Sequence, residues 1–337
     1  MFSRMKRSGA SAHLMWGGIR WASGHRGPGM AVLILAAVWV PAANRRADGQ
    51  SPILRVCYAG SMGAVMDRQI FPAFEKLNHT TVRGTGRGAI GLARQLAAGE
   101  IESDVFIPVT RAPLKLLRPG QISGKPVPIA RTCMVLAYCP RGPAAKLFQA
   151  AGNPGEPWYQ VLLQHHLRFG RTDPRTDPQG RSTVLSLKLA ERYYRQAGLA
   201  RRIMGPLENP AQIFTESSLM FRLQAGQVDA CITYQSQAAA NHLPFIRLPE
   251  QVNLGYPAMD AKWYRRARFN MAAAHHKIIV CRAQPLVFYA AVLRRAENKR
   301  LAESFVRFLR SKTCQGMFRS AGYIPILVKQ RAGKKQS

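Results

Sequence analysis

Leu54-Arg-Val-Cys-Tyr-Ala-Gly-Ser61, running on into Met62-Gly-Ala-Val-Met-Asp-Arg-Gln-Ile-Phe-Pro-Ala-Phe74, is the stretch from which the fold is read. A short apolar strand ends at Ala59-Gly60-Ser61 and opens a helix whose Met62, Val65, Met66, Ile70 and Phe74 share one stripe. Working outward, Thr80–Arg83 predicts a second strand and Arg83-Gly-Thr-Gly-Arg-Gly88 a glycine-rich turn. Ile90–Ala98 then reads as a helix closed by Gly99, and Asp104–Val109 as a third strand. Strands alternating with helices in this order predict an α/β protein, with a parallel or mixed sheet flanked by helices.

The apolar strand Thr132–Tyr138 is followed by Cys139-Pro-Arg-Gly-Pro143, a break that predicts passage into a second lobe. Helices are expected there around 157–166, 182–196 and 216–225, with a strand at Ala230–Tyr234. After Phe245–Pro249 the chain is expected to return to the first lobe. There Lys277–Val280 reads as a strand, and Val287–Arg294 and Leu301–Leu309 as helices. The expected division is a first lobe from 52–132 and 247–327, a second lobe from 133–246, and a basic, disordered tail at 328–337. Two α/β lobes joined by crossing strands place a ligand in the cleft between them, where strand ends and helix N-termini meet.

The chain has 337 residues, with 49 Lys plus Arg against 17 Asp plus Glu, a formal charge of +32. Such an excess points to an anionic partner and by itself does not choose among nucleic acid, an acidic surface and a small anion. Residues 1–29 are basic, Met30–Val40 are apolar, and Pro41-Ala-Ala43 are small, the order of a secretory signal peptide over 1–43. Retention as a membrane anchor is the alternative, and the expected location is periplasmic or extracellular. Cleavage would remove five basic and no acidic residues, leaving +27. Export argues against nucleic acid as the partner. Four of the six cysteines lie in strand-like apolar runs and no C-x2-C pair occurs, so buried free thiols are expected, with pairing left open. Cys133 and Cys139 on one continuous strand would stand about 20 Å apart, too far to bond.

Four segments carry polar groups at helix starts. Gly60 permits close approach of a ligand and Ser61 offers a hydroxyl, although an ordinary N-cap serine explains Ser61 equally well. Arg87 and Gly88 end a glycine-rich segment that lacks the Gly-Lys-Ser/Thr ending of a nucleotide loop. Asp177-Pro-Gln-Gly180-Arg-Ser182 leads into a helix, and ordinary turn chemistry accounts for it. Thr215 reads as an N-cap, with Glu216 in the first turn where the helix dipole favours an acid. The doublets His165-His166 and His275-His276 make poor chelators, since adjacent side chains diverge on a strand or helix. No nucleophile–base pair stands out, so an enzyme is not expected, nor a cofactor.

Taken in order, these segments resemble the substrate-binding proteins of tungstate/molybdate ABC transporters, of the type found in archaea. The likeness covers 53–327 and rests on Ala59-Gly60-Ser61, Phe169-Gly-Arg-Thr-Asp-Pro174, Asp177–Ser182, Gly226–Ser236 with its Tyr234, and Gly322-Tyr-Ile-Pro325. It implies a two-lobed periplasmic-binding-protein fold of the second type and a monomer that captures molybdate or tungstate for a membrane permease. Molybdenum or tungsten in the oxyanion can expand its coordination. The matching carboxylates here are Asp177 and Glu216, with Ser61, Gly60, Arg87, Gly88, Gly180 and Tyr234 around them. Sulfate and phosphate cannot expand and would be repelled by two ionised carboxylates. Two departures bear on which anion is taken: Arg87-Gly88-Ala89 lacks the family's serine, and Gly180 runs directly into Arg181 without the usual tyrosine. A receptor for sulfate, phosphate or an organic acid, and an exported polyanion-binding protein, are the alternative readings.

Overall fold

The computed structural model describes residues 51–152, 157–164, 166–272 and 278–326. The expected signal segment, the basic tail, and His165, His275 and His276 of the two doublets lie outside the described residues. The chain first builds β1 (Ile53–Ala59), β2 (Thr81–Arg87), β3 (Val105–Ile107) and β4 (Ile122–Arg131). It then crosses to β5 (Met134–Tyr138), β6 (Phe169–Thr172), β7 (Ile213–Phe214), β8 (Ala230–Tyr234) and β9 (Phe245–Arg247). A hairpin of β10 (Arg268–Ala272) and β11 (Ile278–Arg282) follows, and the chain ends on β12 (Val287–Leu293) and β13 (Ile324–Pro325). Two mixed sheets result, a six-stranded one ordered β13-β4-β12-β3-β1-β2 and a five-stranded one ordered β7-β6-β8-β5-β9. This is the two-lobed α/β architecture expected from the strand–helix alternation.

Within each sheet the parallel strands lie together. β1 pairs in parallel with both β2 and β3, and β6 does so with both β7 and β8. Parallel neighbours point their carboxyl ends the same way, and each end here feeds a helical segment. β1 opens into the helical turn at Gly60, β2 leads through Gly88 into the helix Ala89–Ala98, and β6 leads through Asp177 into the helix Pro178–Tyr193. β7 leads through Thr215 into Glu216–Gln224, and β8 into Gln235–Ala240. The stripe read from the sequence is buried: Met62, Val65, Met66, Ile70 and Phe74 all lie in the core, and Phe74 meets Phe305 edge-on at 4.9 Å.

Three readings are corrected. Val287–Arg294, expected as a helix, is the strand β12 at the centre of the six-stranded sheet. A strand buried on both faces shows a continuous apolar run with no period of two, which local pattern cannot separate from a buried helix. The glycine-rich segment expected as a turn is strand out to Arg87. Gly84 and Gly86 are what let it pair there: a Cβ on either would come within 2.5–2.6 Å of the Phe71 or Tyr58 ring lying over β2. Of the strand expected at Lys277–Val280, the described part, Ile278–Val280, falls in the separate two-stranded hairpin and not in the six-stranded sheet. The ten-residue strand β4 was not anticipated, because Pro126 and Pro128 and its mixed polarity break the strand signal. All six cysteines are buried and unpaired. Among the described residues, no helix is long and apolar enough to cross a membrane.

Candidate functional site

A cavity of about 750 Å³ lies where the carboxyl ends of the parallel strands from the two sheets converge. Gly60, Arg87 and Gly88 line it from the first sheet, and Thr172, Asp177, Glu216 and Gln237 from the second. The two walls meet closely. A Cβ on Gly60 would stand 2.9 Å from Glu216 Oε2, and one on Gly88 would stand 3.2 Å from the Thr176 carbonyl oxygen. Both glycines thus lie where the opposite wall approaches most closely, and at neither position is φ positive.

Asp177 is the N-cap of Pro178–Tyr193, its Oδ1 accepting from the Gln179 amide at 2.8 Å, with Pro178 in the first turn. Gly180 does not line the cavity. It lets the first turn of this helix sit against the end of β6, where a Cβ would fall 2.7 Å from Pro174 N and 2.8 Å from the Asp173 carbonyl carbon. That contact fixes where Asp177 stands. Glu216 opens the next helix, whose N-cap Thr215 accepts from Ser218 N at 3.3 Å. Both carboxylates are half-buried, and among the described residues neither forms an ion pair.

Burial pushes the Asp177 carboxyl up to about 6, against which the Gln179 amide acts. Burial first, and then the charge of Asp177, hold Glu216 well above the usual carboxylate range. Two acids raised in this way form a site in which the state with both ionised is unfavourable in the empty protein. Tyr234 stands behind the cavity, fully buried and with its hydroxyl unpartnered; burial and the two carboxylates raise it well above the ordinary phenol.

Glu216 is held by a relay that the sequence did not reveal. Gln237 Nε2 donates to Glu216 Oε1 at 3.0 Å, and Thr233 Oγ1 donates to Gln237 Oε1 at 2.6 Å. The Thr233 hydroxyl also lies 3.1 Å from Gln179 Oε1, while Gln179 Nε2 has no partner. One hydroxyl proton cannot serve both glutamines. Turning the Gln179 amide so that its Nε2 donates to Thr233 removes the competition for that one proton. The relay then links the residue two after Asp177 to Glu216 across β8. The available signal was Thr233 through Gln237, a run of polar residues placed immediately after an apolar strand.

Of the expected site residues, Gly60, Arg87, Gly88, Asp177 and Glu216 line the one cavity, whereas Ser61, Gly180 and Tyr234 do not. Ser61 is buried at the start of its helical turn, and its carbonyl accepts from the Tyr323 hydroxyl at 2.9 Å, which ties Tyr323 to the turn that follows β1. Thr172 and Gln237 line the cavity and were not anticipated.

The family described as bacterial extracellular solute-binding protein matches the chain over residues 54–324. A molybdate/tungstate-binding protein, WtpA, of Pyrococcus abyssi is 28% identical over 186 residues, covering 50% of this chain and 53% of the relative. An uncharacterized solute-binding protein of Petrotoga mobilis is 30% identical over 153 residues, covering 45% and 47%. The chain thus spans about half the length of these curated relatives. Among solved structures, the periplasmic molybdate-binding protein of Azotobacter vinelandii superposes with a TM-score of 0.53 at 17% identity, over 81% of this chain and 99% of that one. The sulfate-binding protein SubI of Mycobacterium tuberculosis superposes with a TM-score of 0.53 at 15% identity, over 82% and 88%. At these identities the likeness concerns the fold.

Proposed function

Because the chain belongs to the bacterial extracellular solute-binding proteins, we propose that its cavity receives molybdate or tungstate and that the loaded protein delivers the oxyanion to an ABC-transporter permease. The observation that carries this reading is the pair Asp177 and Glu216, half-buried, without cationic partners, and brought to one cavity by two different helix starts. A site for an inert tetrahedral anion would gain nothing from two carboxylates, which repel it. An oxyanion whose metal accepts further oxygen ligands turns them into a selective contact. The oxo groups would be met by backbone amides at Gly60–Ser61 and at Gly88–Ala89, where the helix Ala89–Ala98 has no side-chain cap.

Lobe 1 (52–132 and 247–327) and lobe 2 (133–246) would close around the ligand as two bodies, and binding free energy would stabilise the closed form. No reaction is needed. The names of the relatives and the extracellular character of the family support the transport role. Arg87 in the cavity favours a second reading, a receptor for sulfate, phosphate or an organic acid. Isothermal titration of the protein with molybdate, tungstate, sulfate and phosphate separates the two. The metal reading expects the first two to bind at micromolar concentration or better and the others to fail. Binding of sulfate or phosphate in preference would replace it with the second.

A further inference from the structure

Several buried side-chain polar atoms have no hydrogen-bond partner among the described residues, including Arg171 Nη1, Tyr234 Oη and Thr172 Oγ1. Of the residues carrying them, only Thr172 lines the cavity. It is the last residue of β6, 1% exposed, and opposite Phe214 in the pairing with β7. The side chain before it goes elsewhere: Arg171 is spent on the Pro206 and Leu207 carbonyls, so strand alternation turns Thr172 towards Asp177. Its main-chain carbonyl lies against the close packing of Gly180.

We propose that Thr172 is a direct ligand contact in this cavity, its hydroxyl donating a hydrogen bond to an oxo group of the bound oxyanion. This rests on the oxyanion reading given above. A hydroxyl buried without a partner is unfavourable, and it persists where a ligand supplies the missing acceptor. Thr172 stands next to Asp177 in the cavity wall, so an oxyanion engaged by that carboxylate would bring its oxo groups within reach. It also fills a gap on the opposite wall. Arg87-Gly88-Ala89 has no hydroxyl, and Thr172 returns one from the second sheet.

The test compares wild type, Thr172→Val and Thr172→Ser by isothermal titration with molybdate, tungstate, sulfate and phosphate, together with thermal melting of the ligand-free proteins. Valine keeps the shape and removes the donor. It is expected to weaken binding of the preferred oxyanion by about ten-fold or more, the loss of one hydrogen bond to a charged acceptor. Serine is expected to restore affinity to within about three-fold of wild type. The ligand-free melting temperature of the valine variant should stay near wild type, since in the empty protein the hydroxyl makes no full hydrogen bond and only favours the nearby Asp177 carboxylate from a distance. Wild-type affinity in the valine variant, or a weakening accompanied by a lower ligand-free melting temperature, overturns the assignment while leaving the receptor reading intact. A wild-type protein that binds none of the four anions overturns both.

Discussion

Asp177 and Glu216 are costly residues for the empty protein. Burial raises Asp177 from 3.8 to about 6 and raises Glu216 in the same direction, so the folded chain holds protons that the unfolded chain would release. Stability of the ligand-free protein should therefore fall as pH climbs from about 4 through about 6. Asp177→Asn keeps the capping oxygen and removes the charge. It should raise the melting temperature at pH 7 and flatten this pH profile, while weakening molybdate binding by about ten-fold or more. Melting curves across pH and a titration check both halves; a variant that neither gains stability nor loses affinity contradicts the assigned role. Gln237→Leu removes the donor to Glu216 Oε1 and strands the Thr233 proton. It is expected to weaken binding several-fold and to destabilise the chain by about 1–3 kcal/mol, readable in urea unfolding.

At the scale of elements, the close packing of Gly180 against the end of β6 helps to aim the helix Pro178–Tyr193, together with the Arg181 and Thr183 hydrogen bonds at its start. Gly180→Ala places a methyl group against backbone atoms that cannot swing aside, with Pro174 N and the Asp173 carbonyl carbon under 3 Å away. A destabilisation of about 1–3 kcal/mol is expected in denaturant unfolding, with reduced affinity because the Asp177 cap moves with the first turn. Legibility in the sequence followed the same logic. The helical stretch at 62–74, the cap at Thr215 and the stop at Gly99 are set by neighbours in the chain and were readable, whereas the helix expected at 182–196 begins at Pro178, with Asp177 of the expected turn as its cap. β12 was not, because its continuous apolar run reflects burial between β3 and β4, which are remote in sequence. The segment ending at Arg87 failed as a turn because its glycines answer to the rings of Tyr58 and Phe71 rather than to a local bend.

At the scale of the whole molecule, the two walls of the cavity come close at Gly60 against Glu216 and at Gly88 against Thr176. Gly88 has φ −54°, open to any residue, so Gly88→Leu should fold normally and hold the walls apart. Thermal stability without ligand is expected to stay near wild type, with oxyanion affinity lost by about ten-fold or more. Small-angle scattering should then show a radius of gyration in the variant that does not contract on adding molybdate. Contraction as in wild type would show that these glycines do not govern closure. On the proposed reading the net charge of +32 would act at this scale too, drawing anions over a distance set by salt, while the half-buried acids would select which is kept.

By itself the sequence determined the strand–helix alternation, the helix starts that face the cavity, and the two carboxylates that head them, because each depends on residues within a few positions of one another. The tertiary structure alone decided that those helix starts share one cavity. It also decided that Gln237, Thr233 and Gln179 form a relay to Glu216, that Thr172 is left with an unpartnered hydroxyl, and that Gly180 serves packing rather than contact. These are relations between the carboxyl ends of strands from two sheets, and no local spacing encodes which ends are brought together.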